Sequence, residues 1–306
     1  MGGWVPSRVR GLAAAAALSV LVACTGGGAP AATPSPGTVV VGSFDFPESE
    51  LLAEVYGQAI RAEGIPVRMD LGLGPRELVE PALLRGLVQL VPEYQGSALD
   101  FLTRATGAPG DPTTTHAAFE RALAGTTATA LDSAPAQNAN AFAVTASTAD
   151  RLGLRTISDL APVASSLVLG GPPECPDRPL CLQGLRSVYG LHFRRFVPLD
   201  AGGPLTIAGL ARGDVDVALV FTTDPRVDER GFLVLDDDRG LEPSDNVTPV
   251  IARSVLGRYG ERLSGTVDAV SAELTTADLI RMNRAVVAGR SPASVATGWL
   301  ASRGLG

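Results

Sequence analysis

Two stretches of the chain share one order of apolar and polar positions. In residues 81–99, PALLRGLVQLVPEYQGSAL, leucines at helical spacing end at Gly86, a short apolar run follows, and Tyr94 comes next. Glycine commonly ends a helix, and a short apolar run before proline is typical of a buried strand. The pattern predicts a strand over residues 88–91 that ends at Pro92, with Tyr94 just beyond its carboxyl end. Ligands bind at that end of the strands in open α/β sheets.

The same order recurs in residues 209–221, GLARGDVDVALVF. When Arg85 is aligned with Arg212, Tyr94 falls on Phe221, and each aromatic residue comes nine positions after its arginine. Helix–glycine–strand units recur in any α/β protein, which is one interpretation. The other is two similar lobes, each presenting an aromatic side chain to a shared cleft.

Polar segments separate the remaining apolar runs. Residues 39–41 predict a strand, and residues 44–50, FDFPESE, lead from it into a helix. That turn can offer backbone N–H groups to a ligand, or Asp45 and Glu48 can simply favour the helix N-terminus. Residues 134–140 are either a crossover between lobes or an ordinary loop. Residues 247–252 would form the return crossover.

Residues 1–24 have the pattern of an export signal. Arg8 and Arg10 precede a largely apolar run of eleven residues, 12–22, which is shorter than the roughly 20 that span a bilayer. The run ends in Leu-Val-Ala before Cys24, which resembles a bacterial lipobox and predicts lipidation of Cys24. An ordinary signal peptide with an incidental cysteine is the alternative. Residues 25–37 are uncharged, rich in Gly, Pro and Ala, and predict a flexible tether.

Composition and charge narrow the class of protein. The chain has 306 residues, enough for two medium-sized domains, and a formal charge of −7 without any run of Lys or Arg. A nucleic-acid partner therefore has no electrostatic support. We find no P-loop, G-x-S-x-G motif or His/Cys cluster, and no carboxylate pair that singles out a general acid and base. We expect no enzyme activity, no cofactor and no metal.

Two cysteines lie close together in the second half of the chain. Cys175 and Cys181 are separated by more than the two residues typical of zinc or thioredoxin-type pairs. In an exported protein the spacing predicts a disulfide that closes a tight loop. A redox or metal role is the alternative.

Several short motifs carry a family resemblance over about residues 38–290. They are residues 41–43 with 46–48, residues 81–84 with 92–96, residues 156–160, and residues 214–216 with 223–224. Together they resemble the substrate-binding lipoproteins of ABC importers in the glycine betaine/choline/carnitine/proline-betaine (osmoprotectant) family.

The resemblance implies an α/β, two-lobed periplasmic-binding-protein fold of type II. A two-strand hinge would join the lobes, with the ligand cleft between them. Residues 38–140 and 224–306 would form the first lobe and residues 141–223 the second. Such a protein would be a monomer, lipid-anchored on the extracytoplasmic face of the cell membrane, and it would pass its ligand to an ABC permease.

The resemblance also implies an aromatic cage for a quaternary ammonium group. Carried onto this chain, the cage positions are Tyr94, Phe221 and, on a hinge strand, Phe142. Two expected tyrosines are thus phenylalanines, and residues 201–204 offer only small residues where a further ring would fall. Polar and charged candidates for contacts with the ligand are Ser43, Ser49, Glu50, Ser97, Asn140, Thr223 and Asp224.

The predicted function is capture of a small quaternary-ammonium compatible solute for ABC import. One alternative is a receptor lipoprotein that senses its ligand. Another is a binder of a different small cation or an amino-acid derivative.

Overall fold

Ten strands of the described residues form two sheets of five. The computed structural model describes residues 1–2, 37–104 and 110–306. The first sheet has the order β2-β1-β3-β10-β4, and its strands are β1 Val39–Gly42, β2 Val67–Asp70, β3 Leu90–Tyr94, β4 Ala128–Ala130 and β10 Val247–Ala252. The second has the order β7-β6-β8-β5-β9, and its strands are β5 Asn140–Thr145, β6 Val168–Gly171, β7 Arg195–Pro198, β8 Val217–Phe221 and β9 Phe232–Val234.

Helices connect the strands and cover the sheets. Those of the first half are α1 Pro47–Ala62, α2 Arg76–Leu84, α3 Gln95–Thr103, α4 Pro112–Leu123, α5 Ala146–Leu152 and α6 Gly184–Tyr189. Those of the second half are α7 Pro204–Arg212, α8 Pro225–Glu229, α9 Arg253–Tyr259, α10 Glu261–Glu273, α11 Thr276–Val287 and α12 Pro292–Arg303. None of the helices in the described residues is long and apolar enough to cross a membrane.

The two sheets repeat one arrangement, which makes this an α/β fold with two lobes. In each, the third strand pairs parallel with its neighbour on one side and antiparallel with its neighbour on the other. β3 and β8 cover equivalent residues under the alignment of Arg85 with Arg212, so that Tyr94 and Phe221 both end their strands. The interpretation as two similar lobes is therefore confirmed.

The strand β3 runs through Pro92, where the sequence predicted that it would end. Pro92 lies opposite Pro249 in the antiparallel pairing with β10. In an antiparallel ladder, facing residues alternate between pairs that exchange backbone hydrogen bonds and pairs that exchange none. Proline has no N–H group, so it fits only the pairs without hydrogen bonds. The strand tolerates Pro92 because Pro92 and Pro249 form a pair of that type.

The second lobe extends further along the chain than the predicted boundary at residue 223. β9 pairs with β5 in the second sheet, and Leu235 and Leu241 are buried in that lobe's core. The first lobe resumes at about residue 243, and β10 joins its sheet. The prediction that residues 224–242 belong to the first lobe is wrong, because the apolar pattern of β9 does not specify which sheet receives it.

The two connections between the lobes run side by side. Residues 134–140 lead from β4 to β5, and residues 242–247 lead from β9 back to β10. Gln137 forms an isolated antiparallel bridge with Asn246, and the Asn138 N–H donates to the Asp245 carbonyl at 3.0 Å. These paired segments form the hinge, and residues 134–140 are thus a crossover. Residues 247–252 are instead the strand β10 that follows the return crossover.

The apolar residues pack into a separate core for each lobe. One core joins both faces of the first sheet to helices α1 to α4 and α9 to α12. The second sheet buries one apolar cluster on each face. Cys24 and the predicted signal and tether lie outside the described residues.

Candidate functional site

A cavity of about 340 Å³ lies between the lobes. Its walls come from residues at or just after the carboxyl ends of strands in both sheets, including Phe44, Tyr94, Pro172, Leu199 and Phe221. The hinge contributes Asn138 and Asn140. A cavity of this size and position is typical of a small-molecule site.

Aromatic rings form much of its lining. The centroid of Phe46 lies 5.2 Å from that of Phe221, 6.2 Å from that of Tyr94 and 5.9 Å from that of Phe44. Phe101 also lines the cavity. The rings of Tyr94 and Phe221 come from different lobes, and Phe46 lies between them.

The turn after β1 is held in place by two buried serines. Ser43 Oγ accepts the Gly72 N–H at 2.8 Å and donates to the Phe44 carbonyl at 2.9 Å. Ser49 Oγ accepts the Phe44 N–H at 2.9 Å. These bonds fix the backbone that carries Phe44 and Phe46 into the cavity.

The Glu48 carboxylate joins both lobes and the hinge beneath these rings. Its oxygens accept bonds from Tyr94 Oη and Asn138 Nδ2, both at 2.7 Å, and from Thr223 Oγ1 and Asn283 Nδ2, both at 2.5 Å. Burial, and then the negative charge of Glu48, raise the pKa of Tyr94 well above its ordinary value. The Tyr94 hydroxyl therefore stays protonated and its ring is held in one orientation.

Two arginines line the cavity, and each forms a bidentate ion pair. Arg76 donates to buried Glu93 at 3.0 and 2.9 Å, and its guanidinium carbon lies 5.2 Å from the Phe44 ring centroid. Burial would lower the pKa of Arg76, but the charge and hydrogen bonds of Glu93 outweigh it and raise that pKa. Arg76 is thus a fixed cation with a fixed counter-ion.

The second arginine joins the two lobes through an ion pair beside the cavity. Arg178 donates to Glu77 of α2 at 3.0 and 2.8 Å. Burial raises the pKa of Glu77, but the hydrogen bonds and charge of Arg178 lower it more, so that the net shift is downward. Arg178 lies in the loop that the disulfide between Cys175 and Cys181 closes, with a Cα–Cα distance of 5.2 Å. The predicted disulfide therefore holds a loop that reaches the other lobe.

Buried carboxylates also lie at the hinge side of the cavity. Asp245 accepts the N–H of Ser97 at 2.8 Å and its hydroxyl at 2.5 Å, and burial raises the pKa of Asp245 to about 6. Glu242 accepts Asn140 Nδ2 at 3.1 Å, and burial, followed by the charge of Asp245, raises the pKa of Glu242 well above its ordinary value. Burial therefore favours the protonated form of both acidic groups beside Ser97 and Asn140.

The small residues before α7 support the Phe221 ring. A Cβ on Gly202, where φ is +61°, would lie 2.9 Å from that ring. Asp200 caps α7 by accepting the N–H groups of Leu205 at 2.9 Å and Thr206 at 2.8 Å. The stretch that lacks a cage aromatic residue thus packs against Phe221.

Four of the ten ligand-contact residues predicted from the sequence line the cavity, namely Tyr94, Ser97, Asn140 and Phe221. Ser43 and Ser49 shape the turn below it, and Thr223 donates to Glu48. Asp224 caps α8 and pairs with Arg226, and Glu50 is not part of the lining. Ser43, Ser49 and Thr223 therefore hold groups of the site in place without lining the cavity.

Phe142 does not reach the cavity. It lies opposite Leu219 in the pairing of β5 with β8, and its side chain is fully buried in the second lobe's core. Leu219 and Asn140 line the cavity. Phe142 lies two residues further along β5 than Asn140 and is not part of the lining. Phe46 supplies the ring that we expected from Phe142.

Sequence reasoning missed Phe44 and Phe46 as lining residues, and it treated Glu48 as a helix-start acid. The signal for the rings was Phe-x-Phe directly after a strand end, in the turn already marked as a possible ligand contact. It also missed Asn138, Arg76 and Asp245. Among the described residues no group of His, Cys, Asp and Glu could hold a metal ion.

The comparison with protein families identifies the fold. Residues 37–302 match the model of the substrate-binding domain of ABC-type glycine betaine transport systems. A glycine-betaine-binding protein of Pseudomonas aeruginosa is 28% identical over 275 residues, covering 86% of this chain and 87% of that protein. The glycine betaine-binding protein YehZ of Escherichia coli is 27% identical over 286 residues, covering 87% and 90%.

A further relative is the ergothioneine transport permease/ergothioneine binding protein EgtU of Helicobacter pylori, 26% identical over 270 residues. That match covers 87% of this chain but only 48% of the relative, so the chain spans about half the length of that protein.

Solved structures agree with the two-lobed fold. The crystal structure of a glycine betaine/carnitine/choline ABC transporter protein superimposes with a TM-score of 0.68 at 27% identity, covering 87% of this chain and 99% of that one. Ligand-free YehZ of Escherichia coli superimposes with a TM-score of 0.61 at 26% identity, covering 88% and 99%. The neighbours are type II periplasmic binding proteins, as the sequence predicted.

The matched model, the two-lobed fold and the cavity between the lobes agree with one another. The family is a non-enzymatic binder that serves ABC importers. The chain belongs to the family of substrate-binding domains of ABC-type glycine betaine transport systems.

Proposed function

We propose that this protein binds a small quaternary-ammonium compound between its lobes and delivers it to an ABC permease. The observation that carries the proposal is the set of rings from both lobes around one cavity, with Phe46 between Tyr94 and Phe221. A quaternary cation has no N–H group to donate, so aromatic faces supply its binding energy, about 0.5 to 2 kcal/mol for each ring.

The relatives support the same class of ligand. Curated relatives are named for glycine betaine and for carnitine, and both names describe trimethylammonium compounds. The name of EgtU refers to ergothioneine. The shared class is a small molecule with a methylated ammonium group.

The proposal includes the predicted route to the cell surface. Cleavage before Cys24 and its lipidation would anchor the protein on the extracytoplasmic face, with residues 25–37 as the tether. The disulfide between Cys175 and Cys181 supports an oxidising environment. The protein would act as a monomer. Mass spectrometry of the membrane-extracted protein tests the anchor: an unmodified Cys24 would contradict it.

Isothermal titration of the purified protein with glycine betaine, choline, carnitine and ergothioneine tests the ligand class. We expect Tyr94→Ala to weaken binding about thirtyfold, because one ring in a desolvated cage contributes about 2 kcal/mol. Tyr94→Phe keeps the ring and should change affinity little.

Tyr259→Phe is the matched control, since that hydroxyl also donates to one acceptor, the Gly37 carbonyl at 2.5 Å, away from the cavity. Absence of heat with all four compounds would contradict the proposed ligand class. Equal loss of affinity in Tyr94→Phe and Tyr94→Ala would assign binding to the hydroxyl instead of the ring.

A further inference from the structure

The side-chain donors that line the cavity share one property. Among the lining residues that the structure describes, each side-chain donor already gives a hydrogen bond to an Asp or Glu side chain of the protein, and the donors are Arg76, Tyr94, Ser97, Asn138, Asn140 and Arg178. Each of these side chains thus already has an acidic partner in the protein before a ligand enters.

The two guanidinium groups show this most clearly. Arg76 and Arg178 are the cations of the described lining, and both are in bidentate pairs, with Glu93 and Glu77. An arginine recognises a carboxylate through the same two-bond geometry. Each pair neutralises its arginine through Nε and Nη2, so a ligand carboxylate would meet a guanidinium whose charge is already balanced.

Two helix N-termini beside the cavity, those of α7 and α3, are occupied in the same way. The Asp200 carboxylate accepts the N–H groups of Leu205 and Thr206 at the start of α7, and Asp245 accepts that of Ser97 in the first turn of α3. Free N–H groups at a helix start attract anions, and these ones already hold anions of the protein.

The charges of the lining residues also disfavour a carboxylate on the ligand. Five carboxylate side chains line it against two guanidinium groups, and the carboxylates belong to Asp45, Asp100, Glu174, Asp200 and Asp245. Even Asp245, whose pKa burial raises to about 6, is mostly ionised at pH 7. Since like charges repel in a poorly solvated site, the lining disfavours an anionic group on the ligand.

We propose that the cavity selects a quaternary-ammonium ion with an uncharged tail over a zwitterion that carries a carboxylate. The inference rests on the proposed function and narrows it to ligands with a net positive charge. The aromatic rings bind the ammonium head, and the protein's own carboxylates already balance the two cations that a zwitterion's carboxylate would otherwise pair with.

Choline and glycine betaine provide the test, because they share the trimethylammonium head and differ in a hydroxyl or a carboxylate on a short tail. Isothermal titration at pH 7 should give choline a dissociation constant at least about tenfold lower, a difference of about 1.4 kcal/mol. Equal affinities, or tighter binding of glycine betaine, would overturn the inference while the proposed function stands. Absence of heat with any trimethylammonium compound would overturn both.

A variant that frees one arginine tests the cause. Glu77→Gln removes the carboxylate that engages Arg178, so the preference for choline over glycine betaine should fall severalfold. Glu273→Gln is the matched control, since Glu273 pairs with Arg303 at 3.1 Å in a partly exposed ion pair outside the cavity lining. An unchanged preference in Glu77→Gln, or an equal fall in Glu273→Gln, would contradict the assigned role of the engaged arginine.

Discussion

Replacing Glu48 tests whether one buried carboxylate holds the lobes and the hinge together. Glu48 is 5% exposed and accepts bonds from Tyr94 in the first sheet, Asn138 in the hinge, Thr223 beyond β8 and Asn283 on α11. Glu48→Ala removes the acceptor for all four donors at once. Glu48→Gln keeps one oxygen, which two of the donors can still reach.

The magnitude follows from the number of donors left without a partner. A buried donor that loses its acceptor costs at least about 1 kcal/mol, so Glu48→Ala should lower the free energy of unfolding by about 4 kcal/mol or more. Glu48→Gln leaves two donors without an acceptor and should lower the free energy of unfolding by about 2 kcal/mol on the same basis. In a domain of this size 1 kcal/mol corresponds to about 2 °C, which gives losses of about 8 and 4 °C.

Thermal and urea unfolding, followed by circular dichroism, measure these losses. Glu54→Ala is the matched control, because Glu54 lies on the same helix and accepts one bond from Gln58 at 2.8 Å. It should cost less than about 1 kcal/mol, as expected for a side-chain pair within one helix. If Glu48→Ala unfolds within about 2 °C of Glu54→Ala, the four bonds do not hold the structure together and the reasoning is wrong.

Two further predictions concern a glycine and a buried acid. We expect Gly202→Ala to weaken ligand binding, because its Cβ would meet the Phe221 ring at 2.9 Å. Gly213→Ala is the control, since Gly213 also has a positive φ but has open space around it, and this variant should lose only stability. Equal ligand affinities of the two variants in a titration would refute the prediction. Burial, and then the charge of Glu93, raise the pKa of Glu80 from 4.5 to about 8. The folded protein therefore binds this proton more tightly than the unfolded chain does. The resulting stabilisation is complete below pH 4.5 and is lost as the pH rises through 8. Melting temperatures between pH 5 and 9 should therefore fall less steeply in Glu80→Gln, and parallel curves for variant and parent would contradict the assignment.

Local patterns in the sequence predicted the parts of the fold that depend on neighbouring residues. The spacing of Tyr94 and Phe221 from their arginines was enough to place both rings at strand ends, because a strand of fixed length follows each helix end. The resemblance proposed Phe142 as a cage ring, and Phe142 does lie on the same face of β5 as the lining residue Asn140. The resemblance carried no information on depth, and depth decided that Phe142 is buried in the core.

The role of Glu48 could not be predicted because its partners are remote in sequence. Asn138, Thr223 and Asn283 are 90, 175 and 235 residues away, and no periodicity connects such positions. The engaged arginines present the same difficulty, since Arg178 and Glu77 are 101 residues apart. Networks that cross between lobes follow from the tertiary fold alone.

The way the chain divides between the lobes has a consequence for the order of folding. The second lobe's strands come from one continuous run, whereas β10, which lies between β3 and β4, comes from residues 247–252. A chain that emerges from its N-terminus can complete the second sheet before the first, because contacts between distant segments form late. The N-terminal strands β1 to β4 would wait with an unpaired edge until β10 arrives, so this half of the molecule is where aggregation and chaperone contact should concentrate.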